Sequence, residues 1–97
     1  PAFWMVGTGD DWPAKGEIDI IEGINTLNVN IMTLHTTDNC SIIKTDDFTG
    51  NATSLNCYIN APGQTANQGC SIRADRTNTY GDGFNAKGGI YITEWTT

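Results

Sequence analysis

Apolar and polar residues alternate in short runs along this chain. Sustained apolar spacing at three and four residues is absent, and Thr, Asn and Gly are frequent. The pattern therefore predicts strands and no helix. Ala2 to Val6 reads as a first strand, and Gly7 to Gly16, enclosing TGDDWPAK, reads as a loop. Glu17 to Glu22 is the next strand, and Gly23 to Thr26 turns. Val29 to Thr36 follows, with Ile31, Thr33 and His35 on one face and Asn30, Met32 and Leu34 on the other. From Thr37 to Gly69 the alternation weakens, and Gly50-Asn51, Pro62-Gly63 and Gln64 to Gly69 are turn chemistry. Ser71 to Ala74 reads as a short strand, Thr77 to Gly89 as a long surface connection, and Ile90 to Trp95 as a closing strand. Short strands with turns between them predict an all-β, antiparallel β-sandwich.

One strand breaks the alternation. GEIDIIEGIN, Gly16 to Asn25, carries the acids Glu17, Asp19 and Glu22 around Ile18, Ile20 and Ile21. Strict alternation puts Glu17 and Asp19 on one face and Ile18 and Ile20 on the other. It then delivers Ile21, not Glu22, to the acid face. One extra residue at Ile20-Ile21, a β-bulge, returns Glu22 to its companions. The expectation is a bulged strand with three acids on one side and isoleucines in the core.

Length and composition narrow the context. Ninety-seven residues make at most one domain, whereas single sandwiches often need about 200–250. The chain opens inside the apolar run PAFWMV and closes on GGIYITEWTT. Residues 1–97 are therefore expected to be the central part of one larger domain rather than a complete small one. Five basic residues, Lys15, Lys44, Arg73, Arg76 and Lys87, are scattered among eleven acidic ones. No basic stripe exists for phosphate backbones, so nucleic acid is not an expected partner. No apolar run approaches the roughly 20 residues of a membrane span, so no membrane is expected either, and the protein is expected to be a monomer.

Cys40, Cys57 and Cys70 show neither CxxC nor zinc spacing. One bridge among them would leave one thiol, with a partner beyond the ends of the chain. Two glycosylation triplets, Asn39-Cys40-Ser41 and Asn51-Ala52-Thr53, are present. Together these features predict a secreted, extracellular, disulfide-bearing glycoprotein.

Three acids on one face repel one another, which raises at least one pKa. Retaining glycoside hydrolysis uses such a set: one carboxylate attacks the anomeric carbon, and a second protonates the leaving oxygen and later activates water. Glu17 and Glu22 would stand about four strand steps apart, roughly 13 Å between Cα atoms, a gap their long side chains can narrow. Asp19 between them could hydrogen-bond one Glu and set which acid keeps the proton. The other readings of the pattern are a solvated or charge-protected edge strand and a calcium site. Three acids on one strand make a poor cage for a cation that takes six or more oxygens.

These residues also carry a resemblance. GEIDIIEG resembles the catalytic signature of glycoside hydrolase family 16 in its bulged E-x-D-x-x-E form, associated with laminarinase-like endo-1,3(4)-β-glucanases. PAFWMVG and WPAKGEID before it, TLHTT after it, and the late YITEWTT resemble secreted fungal members. The resemblance implies a β-jelly roll of the concanavalin A-like kind, two curved antiparallel sheets with an open cleft for polysaccharide. It also implies Glu17 as nucleophile, Asp19 as assisting acid and Glu22 as general acid/base. The implied activity is retaining endo-hydrolysis of β-1,3 or mixed β-1,3/1,4-glucan, with β-glucan as the partner and no cofactor. A structural calcium of the complete domain cannot be placed on these residues. Two rivals stand beside it: a cell-wall transglycosylase, and a non-catalytic glucan-binding protein, although relatives of that last kind usually lose one of the acids.

A glucan cleft needs aromatic platforms for the apolar faces of sugar rings. Trp12, in a polar loop beside Asp10 and Asp11, is the first candidate. Trp4 alternates with Ala2 and Val6 and is a second, while Tyr91 and Trp95 read as core. His35 is the only histidine; the resemblance implies that its TLH strand runs beside the acid strand, so that the imidazole orients a carboxylate or binds sugar. Glu94 and Asp82 are further subsite candidates that nothing local distinguishes.

Overall fold

The computed structural model describes residues 1–43 and 48–96, so Lys44 and Thr97 lie outside the described residues. Five strands form: β1 (Phe3–Val6), β2 (Glu17–Glu22), β3 (Ile31–His35), β4 (Asn51–Ser54) and β5 (Cys70–Arg73), followed by one short helix, α1 (Gly81–Lys87). The strands make one sheet in the order β1-β2-β3-β5-β4, and every pairing is antiparallel. β1, β2 and β3 are rich in β-branched and aromatic residues, which fit a pleated surface. β4 (NATS) is polar and forms an edge, where polar residues discourage pairing with another chain.

The sheet is one layer of the expected sandwich. One face carries the acids, with Thr33 and Ser71 beside them. The other carries Ile18, Ile20, Met32, Leu34 and Ile72 around a hollow of about 260 Å³. Ile18 and Ile20 lie on the apolar side as the pattern requires, but they are only half-buried. Among the described residues no second layer covers them. Of the buried apolar residues, Val29, Cys57, Ala61, Cys70 and Tyr80, only Cys70 lines this hollow.

Cys57 and Cys70 are bridged, and Cys40 is a free, half-buried thiol among the described residues. The bridge ties the start of β5 to a loop of consecutive turns, with Ala61, Gln64 and Gln68 each donating a backbone bond three residues back.

Three expectations need correction. The chain does contain a helix, α1, within the stretch read as a surface connection. It is too short to show an apolar period, and its chain exit at Gly88 takes a positive φ of 72°, open to glycine at little cost. β4 forms in a stretch read as loop, because β5 supplies its ladder rather than its own apolar pattern. Ile90 to Trp95 is not a strand. Its alternation is real, but a strand needs a neighbour to take its backbone groups, and no described strand lies beside it. Ile90, Ile92 and Trp95 are accordingly exposed, Trp95 at 72 % rather than in the core. Tyr91 is half-buried, with its ring 4.8 Å from Phe84 and its hydroxyl donating to the Thr79 carbonyl.

Candidate active site

The bulge lies where the sequence requires it. Along β2 the step from Asp19 to Glu22 is three residues, while the paired step on β3, Thr33 to Ile31, is two. Against β1 the same surplus appears, since Asp19 pairs with Trp4 and Ile21 with Phe3. Ile20-Ile21 therefore holds the extra residue, and Glu22 returns to the acid face. There its Oε2 lies 3.4 Å from the Thr33 hydroxyl, and that hydroxyl lies 3.1 Å from the hydroxyl of Ser71.

Cross-strand pairing assembles the remainder. Glu17 sits opposite His35 and Asp19 opposite Thr33. His35 Nε2 is 3.2 Å from Asp19 Oδ2. The contact is close but poorly aimed as a hydrogen bond, because Asp19 Oδ2 remains buried without a well-formed one; the other ring nitrogen, Nδ1, is likewise buried without a hydrogen bond among the described residues. His35 is wedged against Gly69, where a Cβ would lie 2.9 Å from His35 Nδ1 and 2.3 Å from the Leu34 carbonyl. Gly69 also takes φ +63°, so glycine is required twice over. The Gly69 carbonyl is pinned by Ser54 Oγ and Gln64 Nε2, each at 2.9 Å. The disulfide loop thus holds the back of the histidine.

The loop before β2 delivers Trp12. Gly7 N–H bonds the Gly16 carbonyl at 3.0 Å, closing the loop at its neck, and Lys15 Nζ caps the Thr8 carbonyl at 2.6 Å. The indole N–H of Trp12 donates to Glu17 Oε2 at 2.5 Å, and its ring centroid lies 6.1 Å from that of His35. Trp12 is 41 % exposed, so the rest of the ring stays open to solvent. Trp4, opposite Asp19, falls on the acid face and is 51 % exposed. Val6, opposite Glu17, shares that face and is exposed. Asp82 lies in α1, outside this cluster, and Glu94 lies in the irregular C-terminal segment; both are exposed.

Asp19 carries the electrostatic cost of the cluster. It is 5 % exposed, and its carboxyl is pushed up from 3.8 to about 6. Burial is the largest cause, followed by the charges of Glu22 and then Glu17; His35 pulls the other way, and a hydrogen bond with Glu17 favours the protonated form. The raised pKa expected from three clustered acids thus falls on the middle one. Glu17, Asp19 and His35 offer ligand atoms within 4.8 Å of one another. Three donors are fewer than calcium takes, and carboxyl–imidazole contact accounts for their spacing.

Comparison with known proteins places this geometry. The family model described as the XgeA-like catalytic GH16 domain matches residues 1–97. The chain belongs to glycoside hydrolase family 16. An endo-1,3(4)-β-glucanase of Arthroderma benhamiae is 47 % identical over 98 residues, covering 99 % of this chain and 21 % of the relative. Laminarinase 16A from Phanerochaete chrysosporium, solved with two β-glucan molecules in its donor and acceptor sites, is 48 % identical with a TM-score of 0.81, covering 92 % of this chain and 28 % of that one. An elongating family 16 β-1,3-glucosyltransferase is 49 % identical with a TM-score of 0.73, at the same coverage. The five-stranded sheet is thus part of the jelly roll of family 16, and this chain spans 21–28 % of the length of these relatives.

Sequence reasoning named the acids, Trp12, Trp4 and His35. It missed Thr33, Ser71 and Gly69 as members of the site. Thr33 was legible, since alternation puts it on the face of His35. Ser71 and Gly69 become neighbours only through the β3–β5 pairing.

Proposed function

We propose that the protein is a secreted, monomeric endo-β-glucanase that cleaves internal β-1,3 or mixed β-1,3/1,4 linkages with retention, residues 1–97 forming the central part of its catalytic domain. The observation that carries this reading is the bulge, which gathers Glu17, Asp19 and Glu22 on one face. Glu17, held by the Trp12 indole, attacks the anomeric carbon. The glycosidic C–O bond breaks as Glu22 gives its proton to the departing oxygen, leaving a glycosyl ester on Glu17. Glu22, now a carboxylate, takes a proton from water. The water oxygen attacks the anomeric carbon and frees Glu17. Asp19 and His35 hold Glu17 and tune the charge beside it. Trp4 and the open part of Trp12 stack on sugar rings. No cofactor enters these steps.

Likeness to the elongating glucosyltransferase favours a second reading, in which a sugar hydroxyl takes the place of water. Incubating the full-length protein with laminarin and lichenan, and following the initial anomer by NMR and chain length by chromatography, tests both. β-Anomers with shortened chains support the hydrolase. Chains longer than the substrate support transfer, and α-anomers as first product contradict both readings. Loss of activity in Glu17→Gln and Glu22→Gln with retained glucan binding is expected. Full activity in either variant removes the assigned role.

A further inference from the structure

We infer that Asn30 is a positioning residue for Glu22, its carboxamide clamping the β-bulge and so setting where that acid points. A bulge leaves part of its ladder disrupted, and buried backbone groups there still need partners. Asn30 supplies them on both sides of Ile21. Its Nδ2 donates to the Ile20 carbonyl at 2.8 Å, and its Oδ1 accepts the Glu22 N–H at 2.9 Å. One short side chain with both a donor and an acceptor is needed for this. Asp lacks the donor, and Ser has neither the reach nor the fork.

The clamp is itself fixed from outside the sheet. Asn30 is 5 % exposed. Its N–H donates to Thr79 Oγ1, and its carbonyl accepts from the Ala74 N–H, both at 2.9 Å. Thr79 in turn bonds Arg76 and Asn28. The next residue, Tyr80, packs its buried ring against Gly23, where a Cβ would lie 2.6 Å from that ring, and its hydroxyl is 2.8 Å from the Gly23 carbonyl. The backbone on either side of Glu22 is therefore held by the segment from 74 to 80. Among the described residues, the carboxyl itself has only the long contact to Thr33. Its direction depends on the clamp, and Asn30 acts through Glu22 without touching the reacting atoms.

This inference rests on reading Glu22 as the acid/base, and leaving-group dependence separates the two. Departure of a sugar alkoxide needs a proton, whereas departure of dinitrophenolate does not. In the full-length protein, kcat/KM is measured on laminarin and on 2,4-dinitrophenyl β-laminaribioside for Glu22→Gln, Asn30→Ser and Asn30→Asp. The ratio of the two values is independent of how much protein is folded, so general destabilisation leaves it unchanged. Glu22→Gln is expected to lose about 10²–10⁴-fold on laminarin and far less on the dinitrophenyl substrate. Asn30→Ser is expected to follow, its loss on laminarin exceeding its loss on the activated substrate by about tenfold or more. Asn30→Asp keeps the acceptor for Glu22 and loses the donor, and supplies the same readout if the Ser variant does not fold. Equal losses on both substrates in the Asn30 variants, beside a selective loss in Glu22→Gln, overturn the inference alone. Equal losses in Glu22→Gln overturn the acid/base reading and the inference with it.

Discussion

Replacing Asp19 by Asn should make the protein more stable and less active, and the gain in stability should depend on pH. Asp19 is almost fully buried between two other acids, and its carboxyl is raised from 3.8 to about 6. Between those pH values the folded protein holds a proton that the unfolded chain has released. The folded state binds more protons, so this group's contribution to stability falls as pH rises through the window. At about 1.4 kcal/mol per pH unit, the cost is complete above pH 6 and amounts to about 3 kcal/mol. Asn has nearly the same shape and no charge to lose. Urea unfolding of the full-length wild type and Asp19→Asn, compared across pH, reads the difference directly. Below pH 3.8 the two should differ little, and the advantage of the variant should grow to about 3 kcal/mol above pH 6. Activity on laminarin should fall, because the variant no longer presents a carboxyl group beside Glu17. An advantage that is constant with pH, or that grows toward acid, would refute the assignment of the raised proton affinity to Asp19.

Other changes test the supports of the site. Trp12→Phe removes one hydrogen bond to a carboxylate, worth about 1.5–3 kcal/mol, and should lower kcat roughly ten- to a hundredfold while circular dichroism stays native. Gly69→Ala forces a Cβ against His35 and the Leu34 carbonyl at positive φ; a loss of about 1–3 kcal/mol in urea unfolding and reduced activity are expected, and a neutral outcome would contradict the packing described. Cys57→Ala opens the loop closed by the bridge to Cys70, at a cost of roughly 3 kcal/mol, read as a lower midpoint of thermal unfolding. The same variant should loosen Gly69 and, through it, His35.

The acid strand was the most legible part of this chain, because the misfit between alternation and the position of Glu22 has one local remedy. β1, β2, β3 and β5 followed from short alternating runs bounded by turn residues. β4 was hidden because its reason for being a strand is β5, which lies 16 residues on. Ile90 to Trp95 shows the converse: a correct period without a neighbour makes no strand. Within the site, placements that follow one strand were readable, as for Glu17 and Asp19 on β2, and His35 was set beside them by the family resemblance rather than by its own pattern. Contacts made by folding distant segments together were not. Trp12 was expected to face sugar, yet its indole N–H is committed to Glu17, which only the closed loop reveals. Asn30 was placed only on a strand face with Met32 and Leu34, and the two backbone groups it serves appear only once the bulge is formed.

The central claim is that the bulge makes Glu17 a nucleophile with Glu22 as its acid/base. Trapping the glycosyl-enzyme tests it most directly. The full-length protein is incubated with an activated 2-deoxy-2-fluoro laminaribioside, digested, and its labelled peptide sequenced by mass spectrometry. The label is expected as an ester on Glu17, formed in wild type and absent in Glu17→Gln. A label on Glu22 or Asp19, or rapid turnover with inverted products and no trapped ester, would contradict the account.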